Sequence, residues 1–135
     1  MKSILLVDDD PGVRDAMQRM LSREGYVVRL AADGTEGRAA YDADPADLVI
    51  TDMIMPHEHG LDLIKHLRQR YPEVRILAIS GGGNFGPQAY KPEAITTQAY
   101  LAGASAAGAR AVLSKPFDRA QLLEAVRAVL ESDAA

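Results

Sequence analysis

The stretch Ser3-Ile4-Leu5-Leu6-Val7-Asp8-Asp9-Asp10-Pro11 decides how the rest of the chain is read. Its first five residues include four large apolar ones, a run of strand length that suits a strand covered on both faces. The run then stops at three acids and a proline. Asp10-Pro11 is a helix start, an acidic cap followed by proline at the first helical position, where its missing N–H is not needed. Val13, Met17, Met20 and Leu21 recur at helical spacing until Gly25 stops the helix. The unit is therefore a buried strand, an acidic turn and a helix.

Outward from that unit the same alternation repeats. Residues 26–31 (YVVRLA) predict a second strand, Asp33-Gly34 a plain turn, and residues 35–43 a weak helix with few large apolar side chains. Residues 48–51 (LVIT) predict a third strand, entered through Pro45 and ended by Asp52. Leu61, Ile64 and Leu67 mark a third helix, which Pro72 closes. Residues 75–79 (RILAI) predict a fourth strand, ended by Ser80-Gly81-Gly82-Gly83. A longer irregular stretch leads to an Ala-rich helix over residues 93–107, stopped by Gly108. Residues 111–113 predict a fifth strand followed by Lys115-Pro116, and Leu122, Val126, Val129 and Leu130 a final helix.

Five such alternations predict an α/β fold, a doubly wound five-stranded parallel sheet with helices on both faces. Residues 1–131 read as one domain and 132–135 as a short tail, with no effector domain expected. Right-handed crossovers point every strand the same way. All five carboxyl ends then share one edge, where open α/β sheets bind ligands at the switch of strand order.

Composition narrows the field. With 135 residues, 47% hydrophobic and 25% charged, the chain has enough apolar material for one domain with a real core, and disorder is excluded. The lack of cysteine excludes disulfide scaffolds, Cys-ligated zinc and iron–sulfur clusters. Residues 4–7 are too short for an export signal, and the mild run 99–109 ends at Arg110, short of a membrane span. A soluble, cytoplasmic domain is expected. A net charge of -4 without a basic run gives no electrostatic case for nucleic acid.

The residues that close the strands carry the chemistry: Asp8 and Asp9 after the first, Asp52 after the third, Ser80 after the fourth and Lys115 after the fifth. If the first and third strands are neighbours, three carboxylates share one small pocket. Like charges so close oppose ionisation and call for a cation. Oxygen-only ligands at this density favour Mg²⁺. One Lys and one hydroxyl then suit an oxyanion beside the metal, and the natural anion is a phosphoryl group, whose transfer depends on positioning and charge neutralisation. No His, Cys or Arg stands on this edge as the first-choice nucleophile, but a carboxylate can serve by forming an aspartyl phosphate.

Each signal has a blander reading. The acid run could be a helix cap with spare charges, but a cap needs one Asp and Asp10 can serve. Ser beside Gly is ordinary turn chemistry. Gly81, Gly83 and Gly86 satisfy G-x-G-x-x-G, yet the motif follows the fourth strand and Pro87 interrupts any immediate helix, so a dinucleotide site is rejected. His57-Glu58-His59 and His66 read as exposed side chains of a loop and a solvent-facing helix, not as metal ligands.

Taken together, Val7-Asp8-Asp9-Asp10-Pro11, Asp52-Met53-Ile54-Met55-Pro56 with Gly60, Ser80-Gly81 and Lys115-Pro116-Phe117 resemble the receiver domain of two-component response regulators across essentially the whole chain. The resemblance implies a flavodoxin-like sheet of order 2-1-3-4-5 and Asp52 as phosphoacceptor. It implies Mg²⁺ held at Asp8 and Asp9, with Asp9 and Asp52 as direct ligands beside the Ile54 backbone carbonyl. Ser80 would bind a phosphoryl oxygen, Lys115 would pair with the phosphoryl charge, and the Lys115-Pro116 bond would be cis. The implied partners are a sensor histidine kinase or phosphotransfer protein, docking on the first helix near Arg14 and Met17, and an unidentified downstream protein reached through the last two helices and fifth strand. Two rivals share the fold: a phosphorylation-independent adaptor, and a Mg²⁺ phosphohydrolase with Asp52 as transient nucleophile. The intact Asp9, Asp52 and Lys115 oppose the first, and the lack of an obvious general acid opposes the second.

The chain departs from the family pattern in places. Ser80 and Lys115 stand 35 positions apart, more than in most receivers. The Gly-rich residues 81–92, with Phe85, Tyr90 and Lys91, are expected to gate the pocket or form a partner surface. The helix after them has few bulky anchors (Ile95, Tyr100, Leu101) and is expected to shift when Asp52 is modified. Val112 replaces the family's aromatic, and His59 its acidic or amide residue before Gly60. Ile54 and Gly82 offer no group to orient an attacking water, which predicts a long-lived aspartyl phosphate.

Overall fold

The apolar runs become five parallel strands, β1 (Ser3–Val7), β2 (Val27–Ala31), β3 (Leu48–Asp52), β4 (Ile76–Ser80) and β5 (Ala111–Ser114). The coordinates are a computed structural model that describes residues 2–53, 60–80, 108–114 and 117–131. The described helices are α1 (Pro11–Arg23), α2 (Gly34–Ala43), α3 (Gly60–Arg70) and α4 (Arg119–Glu131). The sheet order is β2-β1-β3-β4-β5, as the resemblance implied. Expected positions in residues 54–59, 81–107, 115–116 and 132–135, including the loop 81–92, the helix 93–107 and the tail, lie outside the described residues.

Strands β1, β3 and β4 form because both of their faces are covered. Ile4 to Val7, Leu48 to Ile50 and Ile76 to Ile79 are at most 1% exposed. Alternate side chains feed two cores. Leu5, Val7, Val49, Ile76 and Ala78 pack with Tyr41 of α2 and Leu63, Ile64 and Leu67 of α3. Ile4, Leu6, Leu48, Ile50, Leu77 and Ile79 pack with Met17 and Leu21 of α1 and Leu122, Val126 and Val129 of α4. Each large side chain so buried contributes roughly 1.5–3 kcal/mol. Met17, offered above as a docking residue, is 2% exposed and belongs to this second core. The helical stripe that holds α1 to the sheet takes it away from any partner.

Helix boundaries follow capping chemistry. The Asp10 side chain accepts from the Gly12 and Val13 amides at 2.9 and 3.3 Å, with Pro11 at the helix start. Gly25 takes φ 95° just beyond the end of α1, a backbone state that suits glycine. Asp33 is more than the plain turn expected. It caps α2, accepting from the Glu36 amide at 2.9 Å, while Glu36 Oε1 accepts from the Ala32 amide at 2.9 Å. This is nearly the reciprocal capping box. The shortage of large residues in α2 has a packing reason, since a Cβ on Gly37 would stand 3.0 Å from Val7 Cγ2. At its far end α2 is tied to the residue after α3. The Tyr41 and Tyr71 rings meet edge-on at 4.8 Å, the Tyr71 hydroxyl donates to Asp42, and Arg70 lies 3.6 Å from the same carboxylate. No described helix is long and apolar enough to cross a membrane.

Candidate functional site

Register brings the acids together. Val7 pairs with Ala31 on one side and Thr51 on the other, so the residues after β1 and at the end of β3 emerge at one point of the rim. One carboxylate oxygen each from Asp8, Asp9 and Asp52 lies within 4.8 Å of the other two. Asp8 is 2% exposed, Asp52 is partly exposed and Asp9 faces solvent.

The backbone around these acids is held closely. The Asp8 amide donates to Ala31 O at 3.1 Å, and Asp8 Oδ1 accepts from the Asp10 amide at 2.9 Å. Arg14 Nη1 reaches back from the first turn of α1 to donate to the Asp8 carbonyl at 2.8 Å. On β3, the Met53 amide donates to Ile79 O at 2.9 Å, and Thr51 Oγ1 donates to the Asp52 carbonyl at 3.0 Å.

Magnitudes decide what such a cluster is for. Two ionised carboxylates about 4.8 Å apart repel by roughly 3 kcal/mol at the effective dielectric near a protein surface, less where solvent screens Asp9. A single cap or turn hydrogen bond returns about 1 kcal/mol. The arrangement is unfavourable for stability alone, and a divalent cation reverses its sign. Oxygen-only donors, one of them open to water, fit a hard ion that keeps part of its hydration shell. Mg²⁺ therefore fits the residues present.

Of the other expected site residues, Ser80 ends β4 opposite Ser114 of β5, which places its backbone on the same rim. Ile54, Lys115 and the Lys115-Pro116 bond lie outside the described residues, as do His57 and His59. His66 departs from expectation. It is half-buried on α3, with Nε2 buried and lacking a hydrogen-bond partner among the described residues, and it takes no part in the acid cluster. Arg14, offered above as a docking residue, is partly exposed and donates to the Asp8 carbonyl. Thr51 carried no sequence signal, a lone hydroxyl in an apolar strand.

A five-stranded doubly wound parallel sheet of order β2-β1-β3-β4-β5 with three acids gathered on its carboxyl rim defines a class of α/β protein. The response regulator receiver domain family matches residues 4–127, and the chain belongs to that family, whose members are signalling domains of two-component systems. Among its relatives, the response regulator MprA of Mycolicibacterium vanbaalenii is 35% identical over 127 residues, covering 94% of this chain and 49% of that protein. The DNA-binding transcriptional regulator NtrC of a Bradyrhizobium species is 34% identical over 130 residues, covering 96% of this chain and 24% of that one. The chain thus spans half or less of the length of these two relatives. Among solved structures, the chemotaxis protein CheY4 of Vibrio cholerae superposes with a TM-score of 0.77 at 30% identity, covering 96% of this chain and 98% of that one. A CheY-like receiver domain protein from Methanospirillum hungatei gives 0.82 at 27% identity, covering 97% and 94%.

Proposed function

We propose that this chain is a Mg²⁺-dependent phosphoryl acceptor, taking the group onto Asp52 from the phosphohistidine of a sensor kinase or phosphotransfer protein. A carboxylate oxygen of Asp52 bonds to phosphorus as the phosphorus–nitrogen bond breaks, and the departing imidazole keeps that electron pair and takes a proton. Asp8, Asp9 and Asp52, with the Ile54 carbonyl, would hold Mg²⁺, which when bound would supply positive charge to offset the oxygens of the transferring group. Ser80 donates to a phosphoryl oxygen and Lys115 pairs with the phosphoryl charge. The added charge, about -1.5 to -2 for other phosphorylated side chains, biases a two-state equilibrium read through protein contacts on the last two helices and the fifth strand. The setting is cytoplasmic. Ile54 and Gly82 do not orient water, so the aspartyl phosphate is long-lived.

The observation that carries this reading is the convergence of three carboxylates on the rim. The test is incubation of the full chain with Mg²⁺ and acetyl phosphate, followed by intact mass measurement. One phosphoryl group per chain is expected, absent in Asp52→Asn and with a chelator present. No incorporation would favour the adaptor, and repeated turnover of an external phosphoester the phosphohydrolase. Decay of the modified species within seconds would contradict the long lifetime.

A further inference from the structure

We propose that Arg14 and Thr51 are positioning residues that set the geometry of the acid cluster by fixing the peptide planes after Asp8 and Asp52. The inference rests on the phosphoryl-acceptor reading and goes beyond it to residues that touch neither cation nor phosphorus.

Two carbonyls matter, those of Asp8 and Asp52, because each peptide plane fixes how its strand leaves the sheet. Each accepts from a side chain. Arg14 Nη1 stands 2.8 Å from the Asp8 carbonyl, and Thr51 Oγ1 stands 3.0 Å from the Asp52 carbonyl. Backbone bonds hold each strand end beside them. Asp8 N–H is fixed on Ala31 O and Met53 N–H on Ile79 O, so the Asp52–Met53 peptide is gripped at both its oxygen and its nitrogen.

Neither residue is explained by stability. Thr51 is fully buried in a central strand, where a valine would fill the same space without a hydroxyl to satisfy. A bond to the next residue's carbonyl ties no distant elements together, and what it does fix is the Asp52–Met53 plane. Arg14 is the wrong charge to sit next to a cation site if charge were its role. A guanidinium on the Asp8 carbonyl repels a divalent ion, so its removal would tighten binding if electrostatics alone mattered. Positioning predicts the opposite sign.

The test is Mg²⁺ titration of the full chain without phosphodonor, followed by backbone amide NMR shifts, with thermal unfolding measured in chelator. Thr51→Val and Arg14→Met should each weaken Mg²⁺ binding roughly tenfold, the lower end of what losing an orienting partner of a metal ligand costs. The Asp9 and Met53 amide signals should shift in these variants before any metal is added. Melting temperatures in chelator should stay near wild type, and Thr51→Ser should restore wild-type affinity. Unchanged Mg²⁺ binding in both variants would overturn the proposal, as would tighter binding by Arg14→Met or failure of Thr51→Ser to rescue. If wild type binds Mg²⁺ and accepts a phosphoryl group while the variants match it, the positioning role alone fails. If wild type does not bind Mg²⁺, the phosphoryl-acceptor reading fails and takes the proposal with it.

Discussion

β3 and β5 belong to one sheet with a single strand between them, yet they are packed in different ways. β3 lies between β1 and β4, its first four residues are buried, and it ends at the carboxylate of Asp52. β5 is the outermost strand, its residues alternate between half-buried and exposed, and Val112 is 39% exposed. One strand presents chemistry from a rigid setting; the other offers a surface with little packing to resist change. Low packing density marks the parts of a fold that open or shift first. β3 is held on both faces, whereas β5 packs through Ala111 and Leu113 and exposes Val112.

The sharpest way to break that comparison is to cut equivalent side chains from both strands. Ile50→Ala should cost about 2–5 kcal/mol in denaturant unfolding, as buried truncations do, and Val112→Ala well under about 1 kcal/mol. Equal losses would show that β5 is as firmly packed as β3. A smaller effect probes the helices behind the acid strands. Tyr71→Phe removes the hydroxyl that Asp42 accepts and leaves the ring stack, so a loss of about 0.5–1.5 kcal/mol is expected by the same measurement. No loss would mean that the Tyr71 hydroxyl adds nothing to the ring contact and the Arg70–Asp42 pair.

The smallest effect is one of pH. Burial raises the Tyr41 phenol above its usual value, and the nearby Tyr71 and Asp47 push the same way. The folded state then keeps this proton where the unfolded chain has lost it. The associated stability is complete below about pH 10, the ordinary phenol value, and declines as pH rises through the folded value. Tyr41→Phe should flatten that part of the alkaline stability profile. An identical slope in the variant would show that Tyr41 ionises as it would unfolded.

Much of this architecture was legible because buried parallel strands leave a plain mark. Ile4 to Val7, Leu48 to Ile50 and Ile76 to Ile79 are near-continuous apolar runs, and each closes on a polar residue at the rim. The acid cluster was legible for the same reason, given adjacent β1 and β3. The capping role of Asp33 is masked in the sequence by the Asp-Gly pair, which also suits a turn, while its partner Glu36 stands three residues on. Met17 belongs to the apolar stripe that the spacing marked and is buried with it, whereas His66, expected to be exposed, is half-buried because spacing does not say how far neighbours cover a stripe's margins. The bond from Arg14 to the Asp8 carbonyl left no mark, since the spacing of two residues does not reveal that a side chain folds back across a cap. Neither did the pairing of Ser3 with Asp47, a contact between residues 44 positions apart.

The placement of β1 between β2 and β3 carries a consequence for how the protein comes into being. Synthesis proceeds from the amino terminus and domains organise as the chain emerges. By residue 52 the ribosome has delivered β1, the two strands that flank it and every acid of the cluster. All three acids are thus made before β4, whose Ile79 carbonyl then fixes the peptide that follows Asp52.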